Sequence, residues 1–494
     1  MSQTDPTPSL APAATLPRYP RGLYTLFFTE MWERFSYYGM RALLVLFMVD
    51  QVRHGGLGLS DEVATAIYGL YTAGVYMAAL PGGWVADRLL GPQKAVWYGG
   101  IVIALGQFML AIPSENTFYL GLIMVVLGTG LLKPNISVMV GRLYPEGGAR
   151  RDAGFTLFYM GINLGAAMGP LFASWLGEKM NWHYGFAAAG VGMILGLVQY
   201  RLTARHLGNT GRPPETVSRT DWNLFRAGLA AVAIFTVLGL TGILPINPVL
   251  VARSTSSVIV GLAVVYFTVL FLFVGLNGTE KRRLGVIVIL FIASAVFWSG
   301  FEQAGSSLNL FADRYTTRTF AGWVMPAGWF QIFNPLFIIT LAPLAGWTWV
   351  ALAQRRMNPS IPLKFAYGLL LLGFGFFLMV GASQLALKGH KVWPTWLIAT
   401  YLFHSIGELC LSPVGLSSVT KLAPQRFVGQ MMGMWFLATS LGNLFAGLMA
   451  GQMSGAAADQ MPARFLQVVL TTSITGVILI VFVRPIKKWT AGVE

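Results

Sequence analysis

The sequence predicts an all-α polytopic membrane protein, and three observations carry that prediction. The 494 residues are 55% hydrophobic and only 11% charged, with a mean hydropathy of +0.63. A soluble globular chain has about 25% charged residues, so this one has too little charge to cover a surface facing water. The apolar residues also gather into about fourteen runs, each long enough to cross a bilayer core as a helix. Finally, the 34 basic residues crowd into alternate loops, the bias that orients membrane helices. That bias accounts for most of the net charge of +15, so no nucleic-acid partner is needed. The single cysteine, Cys410, excludes an internal disulfide and a cysteine-only metal site. Neither a metal nor a cofactor is expected.

In chain order, residues 1–21 read as a disordered cytoplasmic tail. Met1 to Leu16 are rich in Pro, Ala and Thr and lack the basic n-region of a signal peptide. Six spans follow at 22–49, 62–89, 92–112, 117–141, 152–178 and 182–203, giving an N-terminal six-helix bundle over 22–203. A polar linker, Thr203 to Thr220, opens the segment 204–283. This segment holds two further spans, at 221–243 and 254–276, without an embedded acid, and they are predicted to form an inserted hairpin. The C-terminal six-helix bundle, 284–494, has spans at 284–312, 324–353, 363–386, 393–421, 427–451 and 462–484 and a short cytoplasmic tail. Basic clusters such as Arg150–Arg151, Lys281–Arg283 and Lys487–Lys488 fall on the side of both termini. That side is therefore expected to be the cytoplasm, with the chain in the cell inner membrane.

Charged residues inside the spans need a separate account, because each costs about 2.5–3.5 kcal/mol at the bilayer centre on insertion scales. The first span contains Glu30–Arg41, EMWERFSYYGMR. At about 100° per residue, Glu30, Glu33, Arg34, Tyr37, Tyr38 and Arg41 share one face. Lys133 lies in the fourth span beside Pro134, Asn163 in the fifth, and Glu302 in the span at 284–312. Asn334 precedes Pro335, and Glu408 has Ser412 at i+4. Embedded ionisable residues face the bundle interior and mark pathways. The N-terminal half thus offers cations, Arg34, Arg41 and Lys133, and the C-terminal half offers the anions Glu302 and Glu408. A zwitterion needs both signs. His404, one turn before Glu408, reads as a packing residue. Gly161, Gly165 and Gly169 form a small-xxx-small face for close helix packing. Pro134, Pro335 and Pro413 are positioned to kink their helices.

The loop Gly82–Gly91, GGWVADRLLG, resembles the GxxxDRxxG loop of the major facilitator superfamily. The resemblance implies two six-helix halves around a central site, moving by alternating access. Glu30–Tyr38 resembles the ExxERFxYY signature of the proton-dependent oligopeptide transporter family. Phe158–Gly165 (FYMGINLG) and the Glu302–Gln303 pair resemble its other signatures, and the likeness covers nearly the whole chain. It implies symport of di- and tripeptides with protons into the cytoplasm. By resemblance, Arg41 and Lys133 hold the peptide carboxylate beside Tyr37 and Asn163. Glu408, with Ser412 on its face, takes the amine, and Asn334 contacts the peptide backbone. Tyr38, Tyr76, Trp298 and Trp435 shape side-chain pockets. For proton coupling, Arg cannot deprotonate, whereas a carboxyl group can. Glu30, Glu33 and Glu302 are expected to compete for Arg34, Lys133 and Arg41, with Glu33 and Lys133 paired in one state. A carrier of nitrate, an amino acid or a drug on the same scaffold is the alternative. The intact ExxER motif and the division of charge between the halves favour peptides. No GxSxG, HExxH or P-loop motif points to an enzyme, and embedded charges of both signs do not make the ring of one sign found in charged channels. A monomer is expected.

Overall fold

The computed structural model describes residues 19–145, 148–213, 216–355, 357–454, 458–490 and 492. Most of the tail expected at 1–21 lies outside these residues. The first group of helices is α1 (Arg21–Val49), α2 (Asp61–Val85), α3 (Pro92–Leu110), α4 (Glu115–Arg142), α5 (Gly148–Lys179) and α6 (Trp182–Thr203). In this group α1 packs on α5 and α6, and α3 packs on α4 and α6. Two further helices, α7 (Arg219–Leu240) and α8 (Pro248–Phe273), precede the second group. That group is α9 (Gly278–Phe301), α10 (Ser307–Tyr315), α11 (Phe333–Gln354), α12 (Ile361–Leu387), α13 (Thr395–Leu422), α14 (Val428–Ser454), α15 (Met461–Val481) and α16 (Val483–Trp489). Between α10 and α11, strands β1 (Thr319–Phe320) and β2 (Trp323–Val324) form a two-residue antiparallel hairpin. Among the described residues, twelve helical segments are long and apolar enough to cross a membrane. The 29-residue α1, with its embedded charges, and the 19-residue α3 complete the fourteen spans.

Several helix starts are fixed by side chains that take up the free N–H groups of a first turn. Ser60 caps α2, with Asp61 and Glu62 in its first turn, where acids complement the helix dipole. Asn277 and Glu280 close a capping box on α9. The glycine face of α5 does what its spacing predicts. A Cβ on Gly161 would press on the Phe27 ring, and one on Gly165 or Gly169 would overlap the carbonyl oxygens of Met31 or Phe35. Absence of side chains there lets α1 lie directly against α5, and so fixes the height of Glu30, Glu33 and Arg34.

Two expectations need correcting. The span predicted at 284–312 is not one helix: α9 ends at Phe301, a 3₁₀ turn covers Glu302–Gly305, and α10 begins at Ser307. Pro335 does not kink a helix. It stands in the first turn of α11, where it has no intrahelical N–H bond to lose. The inserted pair of helices, α7 and α8, lies between the two groups as predicted, and its members differ in burial. Among the described residues α7 buries no side chain, and its main contacts are with α4 and the turn after α2. By contrast α8 lays one face, Ala252, Ser256, Ile259, Ala263, Phe267 and Leu270, against α2, α9 and α14. It therefore bridges the two groups rather than standing apart from them.

The two groups meet mainly at the end of the molecule opposite the termini. There α2 and α14 approach through glycines, so that a Cβ on Gly69 would stand 3.1 Å from the Asn443 oxygen and one on Gly447 would stand 2.5 Å from the Thr65 oxygen. Deeper in, Ser440 Oγ donates to Ala73 O at 3.1 Å, and Asn309 Nδ2 donates to Ala42 O at 2.8 Å. Arg314 of the second group clasps Asp61 of the first with two bonds, of 2.5 and 2.8 Å. Towards the termini the groups part, leaving a cavity of about 610 Å³ bordered by Leu80, Trp84, Asp87, Tyr266, Gln430 and Met434.

Candidate functional site

The charged face of α1 lies inward, as its spacing predicts. Glu30, Glu33, Arg34 and Arg41 are all buried, and they divide into two clusters. In the first, Arg34 Nε lies 3.0 Å from Glu30 Oε1 and 2.5 Å from Glu33 Oε2. These contacts are short but misaligned, so Arg34 Nη2 and both Glu33 oxygens have no hydrogen-bond partner. Lys133 on α4 acts electrostatically on this cluster but forms no ion pair among the described residues. The pairing expected between Glu33 and Lys133 is not made in this conformation, because Arg34 occupies the acid. Instead the Lys133 ammonium sits 4.1 Å from the centre of the Tyr76 ring, a cation–π contact.

The second cluster joins the two halves. Arg41 Nη2 lies 2.8 Å from Glu302 Oε2. Arg41 Nε also donates to Tyr68 Oη at 2.6 Å, and its guanidinium stands over the Tyr38 ring at 5.5 Å. Glu302 occupies the 3₁₀ turn between α9 and α10, so the acid that holds Arg41 stands where its helix is broken. Tyr37 packs edge-on to Tyr38 and parallel to Tyr71.

The polar residues of the second half form their own group. Asn334 Nδ2 donates to Glu408 Oε2 at 3.1 Å and to Ser405 Oγ at 3.0 Å, which fixes the carboxylate from α11. Glu408, Asn334, Lys133, Tyr38, Tyr76 and Ser412 are half-buried, whereas Glu302, Arg41, Arg34 and the α1 acids are buried. Ser412 makes no hydrogen bond among the described residues. Asn163 is buried and donates to Tyr159 O. Trp298 packs against Phe297 and Phe301, and Trp435 edge-on against Phe365. His404 is buried between Phe301 and Phe376.

Two tyrosines of this centre are absent from the sequence reading. Tyr68 holds Arg41, and Tyr71 stacks on Tyr37. The available signal was the spacing Tyr68, Tyr71, Tyr76, which places three phenols on one side of α2 at about 100° per residue.

The arrangement is that of a carrier. Two helical halves enclose embedded charges of both signs, meet tightly at one end and part at the other, which is the architecture of a major facilitator transporter rather than an enzyme. Comparison with known proteins agrees. The profile of the POT family matches residues 93–465. The chain is 44% identical to the peptide transporter YePEPT of Yersinia enterocolitica over 95% of both chains. It is 38% identical to the di-/tripeptide transporter of Lactococcus lactis subsp. cremoris over 96% of this chain and 97% of that one. A crystal structure of a peptide transporter POT in complex with sulfate superposes with a TM-score of 0.89, at 40% identity, over 95% of this chain and 96% of that one. The chain belongs to the POT family.

Proposed function

We propose that the protein is a proton-coupled symporter that brings di- and tripeptides into the cytoplasm across the inner membrane, with both termini cytoplasmic. The observation that carries this reading is the pair Arg41–Glu302: a cation of one half held by an acid of the other, in the middle of the bundle. Arg41 cannot bind a peptide carboxylate while Glu302 holds it. A proton taken up by Glu302 removes the competing charge and frees Arg41, so proton uptake and carboxylate binding become one event. In the proposed complex Arg41 and Lys133 hold the peptide carboxylate beside Tyr37 and Asn163. Glu408 takes the amine with Ser412 near it, Asn334 meets the peptide backbone, and Tyr38, Tyr76, Trp298 and Trp435 bound the side-chain pockets. Glu30, Glu33 and Arg34 form the second proton-linked group, from which Arg34 can release an acid to Lys133.

The names of the relatives support the substrate class. The half-buried state of Glu408, Asn334, Lys133, Tyr38 and Tyr76 supports a site that solvent and a solute can reach. Closure at the end opposite the termini supports a conformation that faces the cytoplasm. Uptake of labelled dialanine into proteoliposomes, with and without an inward proton gradient, tests the reading. Accumulation that requires the gradient, and is competed by tripeptides but not by free alanine or nitrate, is the expected result. Absence of gradient-driven accumulation of any di- or tripeptide contradicts it.

A further inference from the structure

Besides Arg314 and Asp61, a further polar contact joins the halves at the closed end. Helical structure runs without interruption from Ala327 to Gln354, first as a 3₁₀ segment and then as α11. The residue at its N-cap position is Pro326, which has no side-chain oxygen and makes no cap bond. Free N–H groups at a buried helix start need an acceptor. Glu178, near the end of α5 in the other half, supplies it. Its Oε2 accepts from Ala327 N at 2.6 Å and its Oε1 from Gly328 N at 2.9 Å. Its side chain is only 8% exposed.

The surroundings are built for this contact. Gly328 is pressed on α5 so closely that a Cβ there would overlap the Ser174 hydroxyl. Trp329 Nε1 donates to Leu171 O at 3.0 Å. The charges facing Glu178 are Arg318, whose Nη1 lies 3.6 Å away, and Asp313, which Arg318 also holds. Arg318 in turn donates to Met325 O at 2.8 Å and so braces the loop that leads to the cap. The capped stretch carries Asn334 one to two turns further on, and Asn334 fixes the Glu408 carboxylate.

We propose that Glu178 is a positioning residue of the transport cycle: a cap lent by one half to a helix of the other, formed only when the outer end is closed. In the outward-open form α5 and the start of α11 separate, and water takes over both N–H groups. Closure restores a charge-assisted pair of bonds, the strong kind, and sets the height of Asn334 and Glu408. The link to Asn334 and Glu408 rests on the reading of those two residues as peptide ligands; the cap itself does not.

The test measures the distance between spin labels on Arg53→Cys and His390→Cys, two exposed positions at the outer ends of the halves, in a Cys410→Ser background without peptide. The parent protein should show mostly the short distance. Glu178→Ala should raise the long-distance share relative to the short by about tenfold, the effect of losing hydrogen bonds to a charged group. Glu178→Gln, which keeps the volume and one acceptor oxygen, should fall between the two and covers the case in which the alanine variant does not fold. In proteoliposomes Glu178→Gln should lower the maximal rate of dialanine uptake several-fold while KM stays within about twofold, since the cap is absent when peptide binds from outside. A distance distribution in Glu178→Gln identical to the parent's overturns the proposal. If the parent takes up no peptide, the proposed substrate fails, and the label distance still decides on the cap.

Discussion

The two buried charge clusters of α1 use the same chemistry and differ in where the partner comes from. Arg34 lies against Glu30 and Glu33 of its own helix. Arg41, two turns on, is held by Glu302 of the other half. A pair within one helix survives any rigid movement of the halves, whereas a pair between the halves must break when they separate at that level. The first cluster is thus suited to store a charge through the cycle, and the second to report on conformation. Both Glu33 oxygens lack a hydrogen-bond partner among the described residues, and the proposed exchange with Lys133 would draw on this acid.

That contrast can be broken by mutation, starting with the largest effect. Arg34→Ala leaves two buried carboxylates without their cation. Removal of one partner from a buried ion pair costs about 3–5 kcal/mol, and a fall of many degrees in thermal unfolding in detergent is expected, together with loss of uptake. Arg41→Ala leaves only one carboxylate without its cation. Folding should therefore suffer less, with a smaller fall in the same melt, while dialanine uptake drops below a hundredth of the parent's. If Arg41→Ala unfolds as readily as Arg34→Ala, the division between storing and reporting clusters is wrong.

On the proposed binding mode, Glu408→Gln removes one charge-assisted bond to the peptide amine, about 1.5–3 kcal/mol. KM for dialanine should rise roughly ten- to a hundredfold, and competition by N-acetylated dialanine should be unchanged. The smallest effect is expected for Tyr68→Phe, which deletes only the hydrogen bond to Arg41, about 0.5–1.5 kcal/mol. Uptake should change a few-fold, with the pH dependence displaced from the parent's. An identical pH profile would remove Tyr68 from the Arg41 cluster.

The sequence made the spans legible, because bilayer thickness imposes run length, and it made the inward face of α1 legible, because charge in a span is costly enough to be placed on purpose. The glycines of α5 were readable for a similar reason: a repeat every four residues has one geometric meaning. What escaped was set by tertiary contact. The break at Glu302 lies inside an apolar run, and only Gly300, Gly305, Ser306 and Ser307 hint at it. Tyr68 looks the same in a sequence whether it packs or donates. The bridging course of α8 was hidden because its apolar residues cover all faces, so periodicity does not separate the side that meets α2 and α14 from the side that meets lipid. Glu178, the last residue of the span predicted at 152–178, reads as an ordinary solvated acid, since the N–H groups it caps come from a segment some 150 positions further along the chain.

The central claim is that Glu302 couples the proton to the peptide by competing for Arg41. It is tested most directly by comparing gradient-driven accumulation with counterflow of dialanine in Glu302→Gln proteoliposomes. Loss of accumulation by tenfold or more, with counterflow retained because Arg41 is then free at every pH, is the predicted result. Accumulation at the parent's level in that variant would contradict the account.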